Sequence, residues 1–259
     1  MNRCTRGIFW AALTGAILLA LPAVTFAQTD EIQVYDGSIA DPGAINLTLH
    51  NNFTPAGLRT PAFHGGLIPD DSWNGVFEWA YRVTDWFEAG LYLPLYSISK
   101  DRGATINGGK LRLLFVEPHA AERTFVYGVN FEFSYNARYW DPKRSTAEIR
   151  PIIGLHLLPV DIIFNPILDT SYDGFKNLDF APAVRVAHNF SKQWAGAVEE
   201  YADYGPLHQF LPAGEQSHQL FAVVDHTGKS FNVEAGVGFG LNGASDKVTL
   251  KFMISRDLN

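Results

Sequence analysis

The sequence predicts an all-β fold, a closed antiparallel transmembrane β-barrel of about twelve strands with both termini in the periplasm. Three observations predict it. Short segments alternate apolar with polar residues at period two, the spacing that sorts side chains onto the two faces of a strand. No apolar run of helix-spanning length follows the first two dozen residues. The connections tend to alternate between long and short, as in outer-membrane barrels.

The first element is a leader. Arg3 and Arg6 precede residues 7–24, an uncharged apolar run, and Thr25-Phe26-Ala27 then gives way to the polar Gln28-Thr29-Asp30-Glu31. This is the layout of a secretory signal peptide over residues 1–27, cleaved between Ala27 and Gln28 and addressed to the Sec pathway. A membrane anchor is the alternative, but Pro22, Ala27 and the lack of a basic flank favour cleavage. Cys4 lies in the leader without a lipobox, so residues 28–259 hold no cysteine and no disulfide framework. Residues 28–43 come next, with Asp30, Glu31, Asp36 and Asp41 too polar for lipid. They are expected at the periplasmic mouth as a tail, or folded into the lumen as a plug.

The barrel is expected over residues 44–259. Strands at 44–52, 75–83, 87–97 and 107–115 open it, each with an apolar and a polar face. The fifth, FVYGVNFEFSYN, is the most regular: Phe125, Tyr127, Val129, Phe131, Phe133 and Tyr135 share one face. Strands at 147–157 and 162–170 follow, joined by a turn at Leu158-Pro159-Val160-Asp161. Three prolines and Arg150, His156 and Asp161 argue against a helix there. The remaining strands fall at 179–190, 193–203, 218–224, 231–241 and 247–255. Connections 52–74, 136–144, 171–178 and 204–217 are long and polar, while 83–86, 158–161, 188–192 and 225–230 are short. Two depart from the pattern: 116–123 is longish and 242–246 short.

The aromatic faces are expected to point outward. Turned inward, two rows of Phe and Tyr per strand would overfill a barrel, and the opposite faces are rich in Gly, Ala, Asn and Ser rather than in charge. Phe125, Tyr127, Val129, Phe131, Phe133 and Tyr135 are therefore read as lipid-facing, and outer-membrane lipids as a partner. Closure removes sheet edges, whose unpaired amides lipid would not tolerate. Pro94, Pro151, Pro166 and Pro182 fit poorly, because a closed barrel has no edge where a missing N–H is harmless; they are expected to mark bulges or strand ends.

Asp36-Gly37, Pro42-Gly43 and the strand ending His50-Asn51-Asn52 carry a resemblance. So do Asn74-Gly75, Glu78, Tyr81, Thr84-Asp85-Trp86, Glu88, Gly90 and Tyr92, and later Glu200-Tyr201 with Asp203-Tyr204-Gly205. The chain resembles the outer-membrane protein family of the MetA pathway of phenol degradation. That resemblance implies a bacterial outer-membrane barrel that moves small compounds, aromatic ones among them. The chain departs from barrels of this kind at its end, Ser255-Arg256-Asp257-Leu258-Asn259, where an aromatic residue is usual for the barrel-assembly machinery, its expected partner.

The polar faces carry Glu78, Arg82, Glu88, Lys110, Arg112, Glu132, Glu148, Arg150, Asp179, Arg185, Glu234 and Lys251. These are read as lumen-lining residues that select solutes, or as a structural ion-pair network filling a narrow lumen. Twelve strands suit a narrow or plugged pore. The expected function is a channel or transporter for a small-molecule solute, aromatic or hydrophobic compounds included. A lipid-modifying enzyme and a structural barrel with a closed lumen are the alternatives. Without the leader arginines, 18 basic residues face 27 acidic ones, which argues against nucleic acid. No catalytic residues are assigned: His188 and Ser191 are the nearest local pair, but they fall in a turn, and no G-x-S-x-G occurs. His208, His218 and His226 lack metal spacing, so no metal and no cofactor is expected. The glycines of Gly236-Val237-Gly238-Phe239-Gly240 lie in a strand and make room for lumen side chains.

Overall fold

A computed structural model describes residues 30–258. Fourteen strand segments form one antiparallel sheet that closes on itself. They are β1 (Ile45–Ala56), β2 (Ser72–Arg82), β3 (Phe87–Ser99), β4 (Gly103–Val116), β5 (Phe125–Asn136), β6 (Ser145–His156), β7 (Val160–Asn165), β8 (Leu168–Thr170), β9 (Asp179–Phe180), β10 (Ala183–Asn189), β11 (Trp194–Asp203), β12 (Ser217–Thr227), β13 (Asn232–Gly240) and β14 (Val248–Asp257). The first strand pairs with the last, Asn46 opposite Asp257 and Phe53 opposite Leu250, so no edge is left.

Twelve staves result, because two of them are interrupted. Ile153 faces Phe164 and Ile149 faces Leu168, so β7 and β8 keep one register along β6. Asn165 faces Ala183 and Leu168 faces Phe180, so β9 and β10 likewise make one stave. The breaks fall at Pro166 and Pro182, where a ladder donor is missing. The sequence reading drew continuous strands at 162–170 and 179–190, and the structure corrects both. Pro94 sits in a β-bulge, with register shifts on both sides of β3. Pro151 lies in mid-β6 without ending the segment.

One end of the barrel carries the short turns, at residues 83–86, 157–159, 190–193 and 228–231, with a longer connection at 117–124. The other carries the loops at 57–71, 137–144, 171–178, 204–216 and 241–247. The β3–β4 hairpin is the exception at the loop end, because both strands run past their expected limits to a three-residue turn, 100–102. A single 3-10 turn, Ala120–Glu122, occupies the longest short-end connection.

The alternation decides the faces. Phe125, Tyr127, Phe133 and Tyr135 are 43–59% exposed on the outside, while Val126, Asn130 and Glu132 between them are buried. Leu91, Leu111, Val198, Leu250 and Phe252 continue the apolar outer surface around the wall, with Trp73, Trp79, Trp86 and Trp194 set among them.

The interior is filled from the N-terminal side. Residues 30–40 form a strap inside the barrel before the chain enters β1. Ile32 packs on Ala187, Ala197, Phe221 and Val223; Val34 packs on Ile163, Ile167 and Ala183; Tyr35 packs on Leu114, Val116 and Ile152. The carboxamide of Asn165 clamps the strap backbone, accepting from Tyr35 N at 2.8 Å and donating to Tyr35 O at 3.0 Å.

Candidate functional site

The candidate site is the barrel interior, where two charged clusters flank the strap. The first comes from β1–β6. Its side chains share a face because each sits in phase with its neighbours: Glu78 at period two with Arg82, Lys110 with Arg112, and Glu148 with Arg150. The imidazole Nε2 of His50 lies 2.9 Å from Glu78 Oε2, and Arg112 Nη2 lies 2.9 Å from Glu78 Oε1 and also pairs with Glu88. Lys110 Nζ bridges Asp30 of the strap at 2.8 Å and Glu132 at 3.2 Å. Arg150 grips Glu148 with two donors, at 2.6 and 2.9 Å, and reaches the strap at Glu31, 3.5 Å away, and at the Gln33 carbonyl, 3.0 Å away. The Tyr35 and Tyr92 hydroxyls meet at 2.5 Å.

The second cluster is built by β10–β14. Arg185 pairs with Glu199 and Asp225 and lies 3.4 Å from Glu234. Lys251 pairs with Glu199 and, at 2.5 Å, with Glu234; its ammonium also donates to the Ile32 carbonyl of the strap at 3.4 Å. Tyr201 donates to Glu199 at 2.7 Å. Gly238 leaves room beside this cluster for the Phe221 ring, since a Cβ there would stand 2.3 Å from it.

Most of the residues singled out from the sequence therefore meet in these two clusters. Arg82 stands at the short-turn rim and pairs with Asp85 of the turn at 2.6 Å. Asp179 faces Asp169 across β8–β9 and has no ion-pair partner among the described residues. Ala27 and Gln28 lie outside the described residues. His50 is fully buried, and Glu132, expected among the lumen-lining residues, is 1% exposed. Sequence reasoning missed Glu199, Asp225 and Tyr201 on the wall. Asp225 was assigned to a turn, but Ser217–Thr227 is one strand in which it shares the inner face of Phe221 and Val223.

Five wall cations in these clusters, Lys110, Arg112, Arg150, Arg185 and Lys251, face seven wall carboxylates, and the strap adds Asp30 and Glu31. By formal charge the two clusters and the strap thus hold more carboxylates than cations. A cavity of about 150 Å³ remains at the short-turn end, bordered by Asp36, His156, Asp161, Arg185, Asn189 and Asp225. At the loop end Asp246 accepts from Leu58 N at 2.7 Å and ties two loops together; its burial raises the carboxyl above the usual range. Among the described residues no group of His, Cys, Asp and Glu is arranged to hold a metal ion.

A closed antiparallel barrel with an apolar outer belt and a charged interior is the architecture of outer-membrane β-barrel proteins. Comparison with solved structures bears out that fold. The KdgM porin in complex with disordered oligogalacturonate superposes with a TM-score of 0.53 at 7% identity, over 83% of this chain and 99% of the porin. The TodX monoaromatic hydrocarbon channel (deltaS2 mutant) follows at 0.43 and 10% identity, over 92% of this chain and 98% of that one. The translocator domain of autotransporter NalP from Neisseria meningitidis gives 0.45 at 10% identity, over 86% and 91%. No protein-family model matches the chain, and no curated protein matches it.

Proposed function

We propose that the protein is an outer-membrane channel for small solutes, aromatic and other hydrophobic compounds included, that rests with its lumen narrowed by its own N-terminal strap. The short turns and the β1 and β14 ends of the barrel face the periplasm, and the long loops face outward. The observation that carries this reading is the strap itself. A wall of twelve staves encloses more space than its side chains fill, and the strap occupies that space through contacts with both charged clusters. Some of those contacts are imperfect. Glu31 Oε2 and Gln33 Oε1 of the strap are buried without a hydrogen-bond partner, and the strap lacks the continuous backbone ladder that holds a stave.

Single-channel recording in planar bilayers tests this. The full chain should show a small or intermittent current, and deletion of residues 30–39 a larger, steady one that prefers cations. Equal currents from the two forms would refute the strap as an obstruction. Silence from both would refute the channel.

A further inference from the structure

Three of the in-strand prolines lie side by side across the wall. Between Ile149↔Leu168 and Ile153↔Phe164 the register of β6 sets Pro151 opposite the break at Pro166. Between Asn165↔Ala183 and Leu168↔Phe180 it sets Pro166 opposite Pro182. The hydrogen-bond phase then fixes which seam is affected. Leu157 N donates to the Val160 carbonyl at 2.8 Å, so the odd-numbered residues of β6 bond toward the β7–β8 stave. His156 N donates to Thr124 O at 2.8 Å, so the even-numbered ones bond toward β5. Pro151 and Pro166 therefore occupy a position where each should donate to the other, and neither has an N–H.

Both ladder bonds are missing at one point. Ile167 N turns back to Asn165 O of its own stave at 3.0 Å, and the paired register resumes only at Ile149↔Leu168 and Ile153↔Phe164. At about 3.3 Å per residue, roughly 13 Å of the seam in the middle of the wall lacks ladder pairing. On the next seam Ala181 N still reaches Ile167 O at 3.1 Å, and on the one beyond it Ala202 N reaches Pro182 O at 3.0 Å, but Pro182 returns nothing.

Apolar side chains stand on both sides of the wall here, beside Arg150, which is held by Glu148, and Asn165, which is held by Tyr35. Inside stand Ile152, Ile163, Ile167 and Ala183, covered by Val34 and Tyr35 of the strap. Outside, beside Pro182, runs a groove of about 310 Å³ lined by Phe164, Phe180, Val184, Ala202 and Phe210. Glu200 borders the groove and is engaged by His218 Nδ1 at 3.1 Å.

We propose that the Pro151–Pro166 seam is a lateral portal through which a small, uncharged, apolar solute passes between the lumen and the membrane. The proposal rests on the channel reading and names its solute and its exit. The strap residues Val34 and Tyr35 cover the portal from inside, and the outer groove, which lies one stave along beside Pro182, receives the solute after it crosses the seam.

The test restores the missing donors with P151A/P166A in the full chain. Cells carrying the wild type should take up N-phenyl-1-naphthylamine, whose fluorescence rises in a membrane, faster than cells without the protein, and the variant should lose at least about tenfold of that excess rate. Tenfold corresponds to about 1.4 kcal/mol, the order expected of two restored bonds. The ionic current of the strap-deleted form should be unchanged by the same two substitutions. Uptake that is unchanged in P151A/P166A, with current intact, overturns the portal and leaves the channel standing. Absence of both uptake and current overturns the two together. A direct readout needs no variant: in the wild type the amides of Ile149 and Ile153, which face the seam, should exchange hydrogen faster than those of Ile152 and Gly154, which face β5. Equal protection on the two faces of β6 also overturns the portal.

Discussion

Replacing Lys251 with Met removes the most enclosed cation of the second cluster. The side chains of Lys251 and Glu199 are both fully buried, and the ammonium lies 2.5 Å from Glu234. At an effective dielectric near 20, unit charges at that separation attract by roughly 7 kcal/mol. Much of that attraction offsets the cost of taking the charges out of water. Removing the cation alone leaves the carboxylates desolvated and uncompensated, and breaking a buried pair in this way costs about 3–5 kcal/mol. Arg185 stays within 3.4 Å of Glu234 and still pairs with Glu199, so the loss should fall at the lower end of that range. Adding Glu199→Gln to Lys251→Met removes one of the stranded charges and should recover at least about 1 kcal/mol, since contacting residues couple by 0.5–3 kcal/mol. Urea unfolding in lipid vesicles, followed by tryptophan fluorescence, measures both variants. A Lys251→Met loss under about 1 kcal/mol would mean that water or ions reach the cluster despite its burial. A double variant no better than the single would break the pairwise account.

Two further outcomes follow from the same structure. Val129→Arg places a cation on the outer face in mid-β5 and should cost about 2–4 kcal/mol in the same vesicle assay, the penalty for Arg or Lys at a bilayer midplane; wild-type stability would put that face in water. A tag inserted near Gly65 or Ala213 should be labelled on intact cells and one at Asp85 only after the outer membrane is breached; the reverse pattern would invert the proposed orientation.

The wall was legible because a strand reports its faces at period two. FVYGVNFEFSYN needs no partner to show which residues share a side, and β5 spans that stretch, Phe125–Asn136. The interior was less legible, because ion pairing is settled by register between strands far apart in sequence. Nothing local to Lys251 announces Glu199, 52 residues away. Asp225 was hidden by company: it shares a face with Phe221 and Val223, and an apolar inner face contradicts the simple rule of oil outside and charge inside. The burial of His50 and Glu132 is not legible either, because the sequence does not say how closely the strap packs against them.

The strap explains that apolar inner face. Where Ile32 and Val34 pass, the wall presents Ala183, Ala187 and Ala197, small residues that leave a trough for a chain segment. Phe221, Val223, Ile163 and Ile167 complete the trough, and without the strap these side chains would meet water. Uncovering an apolar side chain of this size costs about 1.5–3 kcal/mol, so an empty lumen is not the natural alternative to a closed one. An apolar solute is. It can stand in for Val34 on the same surface, beside the seam where Pro151 and Pro166 leave the wall unbonded. A solute that competes with the strap for that trough gains the burial that the strap gives up, and its occupancy need not expose the trough to water. The charged clusters offer no such substitution, because an apolar solute cannot replace Asp30 on Lys110 or Glu31 on Arg150. The proposed portal thus links movement of the strap to passage of an apolar molecule through one surface, and mutations that enlarge Ala183 should hinder both.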